Sequence, residues 1–202
     1  VRLVNQEAAP AVNRPGTAFA YSNTNYVLLA GIIEATSGKS FEAFLREELF
    51  TPLEMPNTRV WNLVSGEKTF PNKTGGFGRF AGRIKVLKPD FLDGVAGDGA
   101  VFSSIEDFLI WDRFWTGNEL ISDDLLQQAF VPGQLQGNET SKYGFGWALE
   151  EGYHWHNGSW LGAMTHIARN PERGTLLVIL DNSQNIRLGD IAREVESVWR
   201  QL

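Results

Sequence analysis

Apolar residues recur at helical spacing over residues 23–36, where Tyr26, Leu29, Ala30 and Ile33 form a stripe that Leu28 and Ile32 widen. Asn23 or Thr24 offers a capping oxygen at its start and Gly38 follows its last turn, so a buried helix is expected. Ser40 is the expected cap of a second helix over 41–49, with Phe41, Phe44, Leu45 and Leu49 on one face and Thr51-Pro52 as its stop. A third helix is expected from Ser103 or Ser104 through Phe108, Leu109, Trp111 and Trp115, with Glu106 at capping-box spacing from Ser103 and Gly117 at its end. A short helix is expected over 123–130. Residues 61–99 are glycine-rich with little periodicity, which predicts long loops framing a pocket and one short strand at 84–87.

After residue 143 the pattern changes to that of strands, at 144–149, 153–159, 163–169 and 175–181. The turn-forming residues between them, Glu150-Glu151-Gly152, 159–162 and 170–174, predict antiparallel hairpins. Leu176-Leu177-Val178-Ile179-Leu180 has no polar alternation, as expected of a central strand covered on both faces. Ile191, Val195, Val198 and Leu202 then fall at helical spacing and supply one such cover. The expected fold class is α/β of the α+β type, an antiparallel sheet flanked by helices. There is no internal repeat, and residues 1–202 are expected to form a single domain.

With 202 residues, 43% of them hydrophobic, the chain can bury a sizeable core. Its formal charge of −6 provides no basic patch for a phosphate backbone or anionic lipid, so neither nucleic acid nor a membrane is an expected partner. No apolar run reaches the ~20 residues needed to span a bilayer. The absence of cysteine excludes disulfides and thiolate catalysis without fixing a compartment. The chain opens on Val1 with no signal stretch, and upstream sequence is expected.

Pro15-Gly16-Thr17, Tyr21-Ser22-Asn23 before a helix, Ala96-Gly97-Asp98-Gly99, His156-Asn157-Gly158 and Asn170-Pro171-Glu172-Arg173 follow one another along nearly the whole chain. In that order they resemble the serine β-lactamase-like family, which includes class C β-lactamases, DD-peptidases, esterases and D-amino-acid amidases. The resemblance implies a β-lactamase/transpeptidase-like fold and acyl-enzyme chemistry on amide or ester bonds. It implies no metal or organic cofactor, and a periplasmic or extracellular location. Such enzymes use Ser-x-x-Lys at a helix start, then Tyr-x-Asn, then Lys-Thr-Gly or His-x-Gly on an edge strand. A serine hydroxyl is a weak nucleophile at neutral pH, so a lysine one helical turn away makes chemical sense.

Residues 1–20 contain neither serine nor lysine, so the chain is expected to match the C-terminal portion of the family, incomplete on its N-terminal side, and to be inactive alone. Ser65-Gly66-Glu67-Lys68 and Lys73-Thr74-Gly75 fit the two lysine motifs literally, but their order and separation are wrong, and they read as exposed loop. Ser65 as a relocated nucleophile is the competing reading.

Carried onto these positions, the resemblance assigns Tyr21 to proton transfer, its deprotonated form favoured by nearby cations; the competing reading is a tyrosine packed at a helix start. Asn23 would hydrogen-bond a substrate carbonyl and the missing lysine, or simply cap the helix. His156 stands where relatives carry lysine and is expected to bond the Tyr21 hydroxyl and an anionic substrate group in a pH-sensitive contact. Gly158 would let substrate backbone approach, and the Ser159 N–H would form half of an oxyanion hole, with Asn157 pointing away. Asp98 is read as part of a structural turn.

His154 and His156 share a strand face, but zinc needs a third ligand and His166 is the only other histidine, so His154 is read as a hydrogen-bonded sheet residue. Of Trp147, Tyr153, Trp155 and Trp160, which could line a pocket or simply pack, Trp160 is the best pocket candidate. Expected partners are a small-molecule or peptide substrate (β-lactam, ester or D-amino-acid amide), and an N-terminal complementing segment or a second copy on the sheet edge. A catalytically dead binding or scaffold domain of the same fold is the alternative to an enzyme.

Overall fold

The computed structural model describes residues 11–65, 69–89, 91–184 and 187–199. Helix α1 (Asn23–Ser37) forms over the apolar stripe but is not the buried helix expected, since Ala30 alone of its residues is buried and Leu29 and Ile32 are exposed; it stops at Gly38, whose φ of 70° lets its N–H reach the Glu34 carbonyl. Ser22, not Asn23 or Thr24, occupies the cap position, without a side-chain hydrogen bond. Ser40 caps α2 (Phe41–Leu45) by accepting from the Ala43 N–H, and the helix runs on as a π-turn over Arg46–Phe50. Phe50 and Met55 there meet Val60 of β1 (Arg59–Val60) in a buried cluster that Leu45 and Leu49 enclose.

The glycine-rich middle holds more strand than expected. β2 (Phe77–Phe80) and β3 (Arg83–Val86) make a hairpin, and β4 (Val101–Phe102) pairs with β1. α3 (Ile105–Phe114) starts at Ser104, the second of the two expected caps, whose hydroxyl accepts from the Asp107 N–H; Ser103 Oγ lies 2.7 Å from Thr58 Oγ1 and makes no capping box with Glu106. α4 covers Asp123–Gln128.

Four antiparallel strands then form the main sheet in the order β5 (Ala148–Glu150), β6 (Tyr153–Trp160), β7 (Ala163–Asn170), β8 (Thr175–Asp181). Residues 144–147, expected as strand, instead form the approach to β5. The β6–β7 connection is a two-residue turn with both central residues at positive φ, Leu161 at 43° and Gly162 at 86°, the geometry that matches strand twist. Between β7 and β8, Asn170 Oδ1 accepts from the Arg173 N–H and closes the turn.

Helix α5 (Leu188–Trp199) covers one sheet face, where His166 meets Glu196 at 2.7 Å. On the other face Arg169 of β7 reaches Asp112 of α3 at 2.8 Å. Strand alternation explains why residues 166 and 169 point to opposite helices. β8 does not have the central place its apolar run predicts. It is an edge strand of the described sheet, apolar because helices cover both its faces rather than because strands flank it on both sides.

Candidate active site

Tyr21 ends the segment leading into α1, and Asn23 is the first residue of that helix. The start of α1 is fixed from behind by the 96–99 turn. Gly97, at φ 113°, lies so close that a Cβ would stand 2.7 Å from Ala30 Cβ and 2.8 Å from the Tyr26 carbonyl.

The fold brings this helix start against β6. The rings of Tyr21 and His156 have centroids 6.1 Å apart, although the residues are far apart in sequence. His156, Gly158 and Trp160 alternate onto the α3 face of β6, and Asn157 onto the α5 face, as the strand period dictates. β5 pairs with β6 only as far as Trp155, so the edge of β6 from His156 to Trp160 has no strand beside it among the described residues. Asn23 is exposed and makes no side-chain hydrogen bond among the described residues, and Ser159 is exposed as well.

His156 differs from expectation in its partner. Its Nε2 lies 2.9 Å from the hydroxyl of Tyr143, not bonded to Tyr21, and its Nδ1 lies 2.7 Å from the Asn157 carbonyl. Since a carbonyl only accepts, Nδ1 carries the proton and the neutral ring accepts at Nε2 from Tyr143. Burial holds the His156 pKa below the ordinary histidine value, with the charge of His166 acting the same way and the Asn157 carbonyl opposing both. At neutral pH the ring is therefore mostly uncharged, and the pH-sensitive range lies on the acid side.

Tyr21 is about half exposed, at 54%. Partial burial raises its phenol pKa, and Tyr26 and Asp98 raise it further, so the cations expected to favour a phenolate are not what surrounds it among the described residues. The phenol is protonated at neutral pH. Burial and Tyr26 hold the Tyr143 phenol higher still. Tyr21, Tyr26 and Tyr143 line a shallow open cleft of about 410 Å³ with Phe19 and Leu29, beside His156 rather than over it.

Tyr143 was not among the residues singled out by sequence. It belongs to Tyr143-Gly144-Phe145-Gly146-Trp147, whose glycines are forced: a Cβ at Gly144 would stand 2.1 Å from the Ala129 carbonyl, and Gly146 has φ 78°. Trp147 at its end is buried, packed on Trp115 and Phe130, and so lines no pocket. That glycine-punctuated aromatic stretch was the available signal.

Gly158 has a packing reason to be glycine. A Cβ there would lie 2.7 Å from Oγ1 of Thr165, its cross-strand partner on β7. Trp160 is 53% exposed at the end of β6, and its indole N–H donates to Asp93 Oδ1 at 2.9 Å. The middle loop also docks on the β6–β7 turn, where Gly76 sits so close that a Cβ would stand 1.9 Å from the Leu161 carbonyl. The loop thus lies against this end of β6, while the cleft beside Tyr21 takes none of its lining from residues 61–99. Tyr153 is buried against Trp199, and Trp155 donates to Glu150 on the α5 face.

His154 shares the face of His156, but His166 points to α5, so the three histidines do not converge; no cluster among the described residues could hold a metal. His154 is not the hydrogen-bonded residue expected. Its Nδ1 is buried without a partner among the described residues, and its ring stacks on Phe130 at 4.3 Å. Desolvation, with the charge of Arg169, lowers its pKa to about 4.

Of the Ser65-Gly66-Glu67-Lys68 match, residues 66–68 lie outside the described residues. Lys73 precedes β2 rather than lying on a strand, and its ammonium sits over the rings of Trp61 at 4.7 Å and Phe102 at 5.0 Å, a packing role. No helix among the described residues is long and apolar enough to cross a membrane.

The chain is similar to penicillin-binding protein 4* of Bacillus subtilis, 31% identical over 91% of this chain and 44% of that protein. It is similar to a D-aminopeptidase of Gluconobacter oxydans, 26% identical over 66% of this chain and 25% of that one. It thus spans less than half the length of these relatives. Its fold matches that of an octameric penicillin-binding protein homologue from Pyrococcus abyssi with a TM-score of 0.71 and 26% identity, covering 86% of this chain and 40% of that one. The sequence model of the family described as Beta-lactamase matches residues 5–195, and with the ordered motifs around Tyr21 and His156 this shows that the chain belongs to the beta-lactamase family.

Proposed function

We propose that this chain carries the Tyr21, Asn23 and His156 half of the active site of a serine hydrolase that cleaves amide or ester bonds through an acyl-enzyme. The observation that carries this reading is the meeting of the α1 start with β6, which sets Tyr21 beside His156 across a site left open by the short β5. Membership of the beta-lactamase family supports it, and similarity to a penicillin-binding protein and a D-aminopeptidase favours small-molecule or peptide substrates.

In this reading a serine Oγ adds to the substrate carbonyl and the Ser159 N–H holds the oxygen as it becomes negative. The serine proton leaves through a neighbouring base, and the protonated phenol of Tyr21 delivers a proton to the departing nitrogen or oxygen. Water then adds to the acyl-serine, giving its proton to the Tyr21 phenolate, and the serine oxygen departs with the proton that the neighbouring base had taken. Asn23, with an uncommitted amide, orients the substrate carbonyl. Gly158 keeps the floor of the site low, and Trp160, anchored by Asp93, walls the open edge of β6. The described residues hold no serine-lysine pair beside Tyr21, which a binding domain of the same fold would share.

The test is intact-mass analysis of the chain after exposure to a penicillin or an organophosphonate. The expected result is no adduct from the chain alone, and a serine adduct from a longer protein that supplies Ser-x-x-Lys. An adduct on the chain alone assigns the nucleophile to Ser65 or another internal serine, and no adduct in either case favours the binding domain.

A further inference from the structure

We propose that Tyr143 is a positioning residue for this site: its hydroxyl on Nε2 of His156, with the Asn157 carbonyl on Nδ1, fixes the imidazole in one tautomer and commits it to Tyr143 rather than Tyr21. The functional consequence rests on the hydrolase reading above; the hydrogen-bond assignment does not.

The geometry is specific. At 2.9 and 2.7 Å, both ring nitrogens of His156 are engaged within the chain. The tautomer follows from the carbonyl, which can only accept, so the proton sits on Nδ1 and Nε2 offers a lone pair to the Tyr143 O–H. Tyr143 is itself held firmly. Its carbonyl accepts from the Gly133 N–H and the Ser141 hydroxyl, its N–H donates to Ser141 Oγ, and it bridges to Ala148 at the start of β5. Its ring packs against Phe19 at 5.3 Å and meets the edge of Tyr21 at 6.1 Å. One backbone seat therefore sets the distance between the cleft wall and the imidazole.

Tyr143 can act as a donor over the whole working range, because burial and Tyr26 hold its phenol well above the usual tyrosine value. A donor on Nε2 stabilises the neutral ring, so it works in the same direction as the burial of His156. The other titratable groups facing His156 are Tyr21 from the segment before α1 and His166 from β7, the latter acting through the sheet. The result is an uncharged acceptor-bonded ring where relatives of the resemblance carry a cation, with Tyr21 left free to hydrogen-bond elsewhere.

The experiment is long-range ¹H–¹⁵N spectroscopy of ¹⁵N-histidine-labelled protein through a pH titration, with His156 assigned from the signals lost in His156→Gln. The wild type is expected to show the Nδ1–H tautomer at neutral pH. Tyr143→Phe keeps the ring and loses one neutral hydrogen bond, and is expected to raise the His156 pKa by about half to one unit. Tyr21→Phe is expected to leave it in place. An Nε2–H tautomer in the wild type, or a shift in Tyr21→Phe with none in Tyr143→Phe, overturns the assignment. In a form competent for hydrolysis, the acid limb of kcat/KM should move upward with Tyr143→Phe by the same amount, and an unmoved limb overturns the positioning role. If no form hydrolyses amides or esters, the hydrolase reading falls while the spectra still decide which tyrosine holds His156.

Discussion

A methyl group at position 158 would meet Thr165 Oγ1 at 2.7 Å, a distance that requires either the hydroxyl or the strand to move. Gly158→Ala is therefore expected to cost about 1–3 kcal/mol by overpacking. Adding Thr165→Ala, which removes the obstructing atom, should recover a good part of that loss in a double-mutant cycle read by urea denaturation. Additive losses would mean that the glycine is needed for backbone approach alone. His154 makes a second residue-scale prediction. The unfolded chain takes up this proton near pH 6.5, the folded chain only near 4, so stability present above pH 6.5 is lost as the pH falls from 6.5 to about 4. His154→Phe, keeping a ring over Phe130, should make stability less pH-dependent in that window; an unchanged slope between pH 7 and 4.5 would rule His154 out as its source. At this scale sequence named Tyr21, Asn23, His156, Gly158 and Trp160 but could not assign their partners. Whether His156 bonds Tyr21 or Tyr143 depends on where the 141–147 turn sits, and Ala129 and Gly144, remote from the motif, decide that.

The N-terminus of α3 shows how an element is tied to the fold. Asp107 is 1% exposed, and its carboxylate accepts from the Asn57 N–H at 2.9 Å, the Thr58 hydroxyl at 2.7 Å and the Asn57 amide at 3.3 Å. A negative charge in the first turn of a helix is favoured, and here it also pins the segment leading into β1. Asp107→Ala leaves those donors without their acceptor and is expected to cost about 2–3 kcal/mol, measured by thermal or urea unfolding; a loss within about 0.5 kcal/mol would show that water replaces the carboxylate freely. Helix α3 was legible from its apolar spacing, but its anchor was not, because the partners of Asp107 lie some fifty residues upstream. The three long strands were legible for a local reason, runs bounded by turn residues, alternating in β6 and β7 and continuously apolar in β8. β1 and β4 escaped notice because two-residue strands carry no period, and β2 because glycine at position 78 interrupts its pattern.

At the scale of the whole molecule, the apolar run of β8 and its edge position are in tension. Its faces are covered by α3 on one side and α5 on the other, yet beyond it the described sheet has no further strand. An apolar edge strand with free backbone groups is a template for pairing. The expected consequence is association through this edge, either with a complementing N-terminal segment or with a second copy. Light scattering of the purified chain should therefore give a mass that rises with concentration. Leu180 is 39% exposed on β8, so Leu180→Lys places a charge on the edge without removing a buried side chain, and it should shift the mass toward the monomer. If instead a segment from upstream in the same protein occupies the edge, the longer protein should protect the β8 amides from hydrogen exchange at concentrations where its mass stays monomeric. Those two outcomes separate the partners by concentration dependence alone. A chain that stays monomeric, with β8 amides unprotected in every form, would mean that flanking helices suffice to hold an apolar strand at an edge.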